Sequence, residues 1–414
     1  MAKPDQNTIE TRRARGPVYL DNQATTRTDP RVVDAMVPYF SEKFGNPHSR
    51  SHAFGWEAED AVEAARQSIA DLIGAEAREI IFTSGATEAN NLAIKGVAEA
   101  NRARGNRIVT VATEHKCVLE TCRHLELDGF EVVYLGVDGD GLIDLAELAG
   151  AVDEKTVLVS VMGVNNETGV IQPVAEIGEF CRGAGVVFHS DCAQAAGKIE
   201  LDVEAMNIDL MSLSAHKMYG PMGIGALYVR RRPRVRLSPL MDGGGQEQGL
   251  RSGTLPAPLC VGFGMAAGIC TDEMARETDR IKDLRSRFLE NLKGKLEGVH
   301  VNGHMTQRIA GNLNLRFDGV TAVQLLSVIK GVAFSAGSAC TSASVEPSYV
   351  LRAMGLSDAD ADSSVRFGFG RFTTEDEIDL ACELITDCVE TVRNNAGATG
   401  GAADHKNRTK ATAA

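Results

Sequence analysis

Asp209-Leu-Met-Ser-Leu-Ser-Ala-His-Lys-Met-Tyr-Gly-Pro-Met-Gly-Ile-Gly-Ala-Leu-Tyr-Val229 is the stretch that decides how the chain folds. Asp209 to Ser214 is a short apolar run of the kind used by a fully buried strand. Ser214-Ala-His-Lys217 follows directly. Glycine-rich Met218 to Gly225 and a second apolar run, Ala226 to Val229, come next. Lys217 therefore stands at the carboxyl end of a strand, in a tight loop between apolar elements. An amine held in such a place is poised to attack a carbonyl, because desolvation disfavours the ammonium form. Asp191 occupies the same kind of position, closing Val186-Val-Phe-His-Ser190 about one strand–helix–strand step upstream. A pyridoxal phosphate enzyme needs both residue types. The amine carries the cofactor, and the carboxylate keeps the pyridine nitrogen protonated so that the ring draws in electrons. Read singly, Lys217 is equally a surface lysine in a turn, and Asp191 a helix cap.

Outward from this stretch the same punctuation repeats. Apolar runs predict strands over 80–83, 108–112, 131–135, 157–162, 186–189, 210–213 and 226–229. Most gaps between them carry helical spacing, as over 89–100 and 174–183. Alternating strands and helices imply an α/β fold with a mostly parallel seven-stranded sheet, and such sheets bind ligands at the carboxyl ends of their strands. Thr87, His115, Asn166, Asp191, His216 and Lys217 all fall there. Upstream, 29–40 and 54–73 have helical spacing. Downstream, a charged helical pattern over 271–298 marks a domain boundary. A strand over 312–317, a helix over 321–329 and a strand over 364–368 follow. Thr374-x-x-Glu377 is a capping box that opens a helix to about residue 392. The expected organisation is a large domain over 27–270 and a smaller α+β domain made of 1–26 and 271–395. The Ala-, Gly- and Thr-rich stretch 396–414 is expected to be a disordered tail.

Composition narrows the class. The chain has 414 residues, 43% hydrophobic and 24% charged, with a net charge of −13. That balance suits a soluble enzyme and argues against a nucleic-acid surface. No apolar run is long enough for a bilayer, and residues 1–16 lack the apolar centre of a secretory signal. The nine cysteines show no metal-type spacing, so no resident metal is expected, and a reducing cytoplasm is the natural compartment.

Ser214-Ala-His-Lys-Met-Tyr-Gly-Pro221 resembles the cofactor-lysine motif of the cysteine desulfurases of the IscS/NifS type, which are fold-type I pyridoxal phosphate enzymes. Further motifs agree from about Tyr19 to about Glu377. The resemblance implies that Ala86 and Thr87 hold the cofactor phosphate together with Ser214 and His216. Thr254, in Arg251-Ser-Gly-Thr254, would reach the phosphate of a partner subunit, which implies a homodimer. His115 would stack on the ring and shuttle protons. Asn166 and Gln194 would contact the substrate side and the ring oxygen, and Arg366 would fork onto the substrate carboxylate. Ser338-Ala-Cys-Thr-Ser342 marks Cys340 as the thiol that takes the sulfur, and as a transient ligand to a cluster shared with a partner. The chain departs from the pattern at Ala215, Met222 and Gln248. Cys192 beside Asp191 would put a second thiol near the ring, and the apolar C-terminal end that helps dock the cluster scaffold is missing.

The activity implied is conversion of L-cysteine to L-alanine, with a persulfide on Cys340 whose sulfur goes to an iron–sulfur scaffold protein or, as another acceptor, to tRNA thiolation. The alternatives are a selenocysteine lyase or aminotransferase of the same superfamily, and a non-catalytic dimeric scaffold. A transaminase has no use for the Cys340 loop, and a scaffold has none for Lys217, Asp191 and His115 together.

Overall fold

A computed structural model describes residues 16–336 and 346–408, the last thirteen of them as backbone only. The chain begins on β1 (Val18–Tyr19). The central sheet is then laid down as β2 (Ile80–Thr83), β3 (Arg107–Val111), β4 (Glu131–Leu135), β5 (Thr156–Ser160), β6 (Val187–Asp191), β7 (Leu210–Ser214) and β8 (Gly225–Val229). Their order across the sheet is β2-β8-β7-β6-β5-β3-β4. Only β8 runs against its neighbours, pairing antiparallel with β2 and β7. Every residue of β5, β7 and β8 is buried. That is why these strands read as continuous apolar runs, because a sheet covered on both faces has no polar side to alternate with. Ile80 and Phe82 point into one core with Val109, Phe188 and Met211. Ile81, between them, points into the other with Leu158, Leu227 and Leu92.

The predicted strands and their types agree with those observed, with ends shifted by one or two residues. Three helices differ from expectation. The pattern over 29–40 is two helices, Pro30–Met36 and Pro38–Ser41, because Pro38 cannot donate a backbone bond within a helix. The pattern over 271–298 belongs to one 37-residue helix, Ala257–Lys293. Its first half is nearly all apolar and rich in glycine, which hides it from a periodicity reading. The glycines are contacts: a Cβ on Gly264 would stand 2.4 Å from the Cα of Ala65, on the helix Ala53–Leu72. Cys260 and Phe263 of the long helix lie in the core of the central sheet. Ile281, Leu284 and Phe288 lie in a second core.

The second core is built on β9 (Val299–Val301), β10 (Asn312–Phe317), β11 (Val332–Ala333) and β12 (Ser364–Gly368). β10 pairs antiparallel with both β9 and β12, and β11 pairs with β1. Val18 and Leu20 pack here beside Phe317, Phe367 and Ile385. The capping box closes as predicted, with Thr374 N–H on Glu377 Oε2 (2.9 Å) and Glu377 N–H on Thr374 Oγ1 (3.3 Å). The helix it opens, Glu375–Arg408, runs past the expected end near 392 and through 396–408, a stretch expected from its composition to be a disordered tail.

His189 ties three strands together. It is fully buried on β6, with one ring nitrogen 2.8 Å from Ser160 Oγ on β5 and the other 3.0 Å from Ser212 Oγ on β7. Burial lowers its pKa to about 3. The unfolded chain accepts a proton at about pH 6.5 that the native state refuses, so this contribution to stability is present above that pH and lost as pH falls toward 3. Urea unfolding of the cofactor-free protein between about pH 6 and pH 4 is expected to be shallower in pH by about 1.4 kcal/mol per unit for His189→Gln. Equal slopes would contradict this.

Candidate active site

The carboxyl ends of β2, β5, β6 and β7 open on a cavity of about 470 Å³. Ten of the residues expected in the site line it. Ala86, Thr87, His115, Asn166 and Asp191 come from strand ends and the loops after them. Gln194, Ser214, His216 and Lys217 follow along the chain, and Arg366 comes from the second core. Thr254 is not brought to this cavity and is exposed. Cys340 lies outside the described residues.

Beyond β2 the chain turns through Ser84-Gly85 into the helix Ala86–Asn101, whose N-cap is Gly85 with φ +154° and no side-chain cap. Space is open where a Cβ on Gly85 would stand, while a Cβ on Gly225 opposite would come within 2.7 Å of the Gly85 backbone. The first-turn N–H groups therefore face the cavity as an anion-binding end. Lys217 lies on the short turn Ala215–Lys217 after β7. Its Nζ donates to the carbonyls of Gln23 (2.5 Å) and Ala24 (2.7 Å). Beside it, His216 Nδ1 is 3.0 Å from Thr25 Oγ1. Burial, and then the charges of Lys217 and Lys198, lower the His216 pKa to about 4. The imidazole is thus neutral at pH 7.

Asp191 is held on both oxygens. Oδ1 accepts Ala193 N–H (2.9 Å) and Oδ2 accepts the Asn90 amide (2.6 Å). The first bond is the local cap that a sequence reading also suggests, and the second fixes the carboxylate in the cavity wall. His115 caps the helix Lys116–Leu127, its Nδ1 accepting Cys117 N–H (3.2 Å) and lying 3.0 Å from Cys117 Sγ. Arg366 is 2% exposed, with Nη1 on the Asn166 carbonyl and Nη2 on Asp21 Oδ1, both at 2.8 Å. Asn166 Oδ1 and Arg366 Nε are buried with no hydrogen-bond partner among the described residues. Unpaired polar atoms in a cavity wall are costly unless a ligand meets them.

Cys192 does not enter the site. Its thiol is fully buried against Ser190 Oγ (3.4 Å), and burial pushes its pKa up to about 12. Among the described residues, the thiol that does line the cavity is Cys117. Sequence reading also missed Asn90, Tyr349, Lys198 and the carbonyls of Gln23 and Ala24. Backbone acceptors leave no mark in a sequence, and Asn90 lies one helical turn inside an apparently ordinary helix.

A lysine, an aspartate and an arginine around an anion-binding helix end define a class of enzyme, and the comparison of sequences agrees. Residues 18–380 match the aminotransferase class-V family, and the chain belongs to it. Its relatives include the protein named cysteine desulfurase IscS of Rickettsia africae (strain ESF-5), 59% identical over 377 residues that cover 91% of this chain and 92% of the relative. Among solved structures, a NifS-like protein superposes with TM-score 0.85 at 37% identity, covering 91% of this chain and all of that one. The structure described as SspA in complex with cysteine superposes at 0.78 with 38% identity, covering 86% and 99% of the two chains.

Asn90→Leu would leave Asp191 Oδ2 without its buried donor. The expected loss is about 1.5–3 kcal/mol of unfolding free energy in urea titration, the range for hydrogen bonds to charged groups. A loss within about 0.5 kcal/mol would show that the amide does not hold the carboxylate.

Proposed function

We propose that this chain is a pyridoxal-phosphate-dependent cysteine desulfurase, converting L-cysteine to L-alanine and leaving the sulfur as a persulfide on Cys340. The observation that carries the reading is that Lys217, Asp191, His115 and Arg366 open on one cavity beside an uncapped helix end. The name of the Rickettsia relative supports the same activity.

The donor set fits pyridoxal phosphate. The helix start at Ala86-Thr87, with Ser214 and His216, suits its phosphate. Asp191 suits the pyridine nitrogen, Gln194 the ring oxygen and Lys217 the aldehyde carbon. Bound there, the cofactor supplies a sink for the electron pair released when a bond at the substrate α-carbon breaks.

The remaining work belongs to the chain. Arg366 is the planar donor for the substrate carboxylate, with its buried Nε still to be satisfied. Asn166, whose Oδ1 is likewise unpaired, adds a contact on the substrate side. The Lys217 amine takes and returns the proton at the α-carbon, and His115 carries protons to and from the departing groups. The Cys340 thiolate attacks the substrate sulfur. A sulfur–sulfur bond forms and the carbon–sulfur bond breaks. Its electron pair goes to carbon, which gains a proton and leaves as alanine. The described residues on either side of the Cys340 segment are tied to acids just behind the cavity wall. Ser335 Oγ donates to Asp21, the partner of Arg366, and Ser348 Oγ donates to Glu167.

The working form is a homodimer in which Thr254 serves the partner's site. Phe40, Phe44, Phe54 and Trp56, all more than half exposed, favour burial of this region against a second copy. Sulfur acceptors are an iron–sulfur scaffold protein or a tRNA-thiolation protein. Among the described residues no helix is long and apolar enough to cross a membrane, and all eight cysteines there are free thiols. A reducing cytoplasmic setting suits them.

Two variants separate the halves of the mechanism. Lys217→Ala is expected to lose the visible cofactor band and essentially all alanine release. Cys340→Ser is expected to keep the band and its spectral response to L-cysteine, yet form no protein persulfide, because a hydroxyl is a far poorer nucleophile than a thiolate. Alanine release by Cys340→Ser at the wild-type rate would overturn the assignment of the acceptor thiol.

A further inference from the structure

A second lysine stands behind the first. Lys198 follows Gly197, which turns the chain after β6 with φ +70°, where a Cβ would stand 2.7 Å from Cys270 Sγ. Lys198 Nζ donates to Gln194 Oε1 at 2.9 Å. Gln194 Nε2 in turn donates to the Gln23 carbonyl at 2.9 Å, the same carbonyl that accepts Lys217 Nζ at 2.5 Å. Two amines are thus joined through one amide and one carbonyl. The groups acting on Lys198 are the cations Lys217 and Arg366, together with Cys270 and Glu277. Burial, and then the charge of Lys217, lower its pKa to about 7.

The consequence concerns Gln194. A side-chain amide offers oxygen at one end and two N–H donors at the other, and little in its shape decides between the two orientations. In its protonated form Lys198 carries three donors and no acceptor, and its Nζ donates to the amide oxygen, which therefore faces it. The NH₂ group is then turned the other way, toward Gln23 and the cavity that Gln194 lines. We propose that Lys198 is a positioning residue, whose side chain fixes the Gln194 amide so that it presents a donor, and not an acceptor, to an oxygen anion bound in the cavity. This rests on the reading of the cavity as a pyridoxal phosphate site, in which that oxygen is the one on the pyridine ring. In the opposite orientation two oxygen acceptors would face each other in a buried place, which is costly.

The test titrates cofactor-free protein with pyridoxal phosphate and follows both the dissociation constant and the position of the visible band. Lys198→Met is expected to weaken binding by about tenfold, the scale of one buried hydrogen bond, and to shift the band. Lys198→Arg, also a donor-only cation, is expected to restore both. In a Gln194→Ala background, Lys198→Met should change neither, since residues acting as one unit are not additive. If Lys198→Met does not give folded protein by circular dichroism, Lys198→Gln, which no longer dictates the amide's orientation, takes its place in the same comparison. Wild-type binding and spectrum in the Lys198 variant would overturn the inference, as would an effect undiminished without Gln194. A wild-type chain lacking any band that depends on Lys217 would instead remove the functional reading and this inference with it.

Discussion

The hydrogen bonds from Lys217 Nζ to the carbonyls of Gln23 and Ala24 are the contact on which the arrangement of the site depends. They join the turn after β7 to a segment from the other end of the sequence, and that segment is stitched down on both sides. Thr26 N–H and Oγ1 donate to the His216 carbonyl, and Tyr219 N–H donates to Thr26 Oγ1. Asp21, five residues earlier, pairs with Arg366 of β12, while Leu20 is buried in the second core. One short extended stretch thus holds Lys217 of the central sheet and Arg366 of the second core in register. The long helix Ala257–Lys293, with its first half in one core and its second half in the other, keeps the two cores from sliding.

Electrostatics sorts the acids around this contact. Glu114 and Glu167 are fully buried, and burial is the first cause raising the pKa of each. Asp191 differs in being held on both oxygens by N–H donors, from Ala193 and from the Asn90 amide. The acids that line the cavity are Asp191 and Glu88, and Glu114 and Glu167 lie behind it. Lys217, Arg366 and the helix start at Ala86 line the same cavity.

The sheet was legible because β5, β7 and β8 are buried on both faces, so their apolar runs left little room for another reading. The strand-end polar residues were legible for the same reason: a buried sheet has its chemistry where the strands stop. Less was readable where contact decides. Gly262 and Gly264 look like helix breakers until Met36 and Ala65 are seen pressed against them. Cys192 looked like a second thiol at the ring because it adjoins Asp191, yet successive residues at a strand end point to opposite sides, and it is buried. Gln23 and Ala24 act through hydrogen bonds across 171 to 194 residues of sequence, which no local pattern records, and Lys198 acts on Gln194 only four residues away, through a chain that becomes visible when Gln23 is in place.

The central claim is that the Lys217 amine, and no other, carries the cofactor. Reconstitution with pyridoxal phosphate, reduction with borohydride, proteolysis and mass spectrometry test it directly. The account predicts a phosphopyridoxyl group on the peptide that contains Lys217. A label on Lys198 instead, or no label on either lysine, would contradict it.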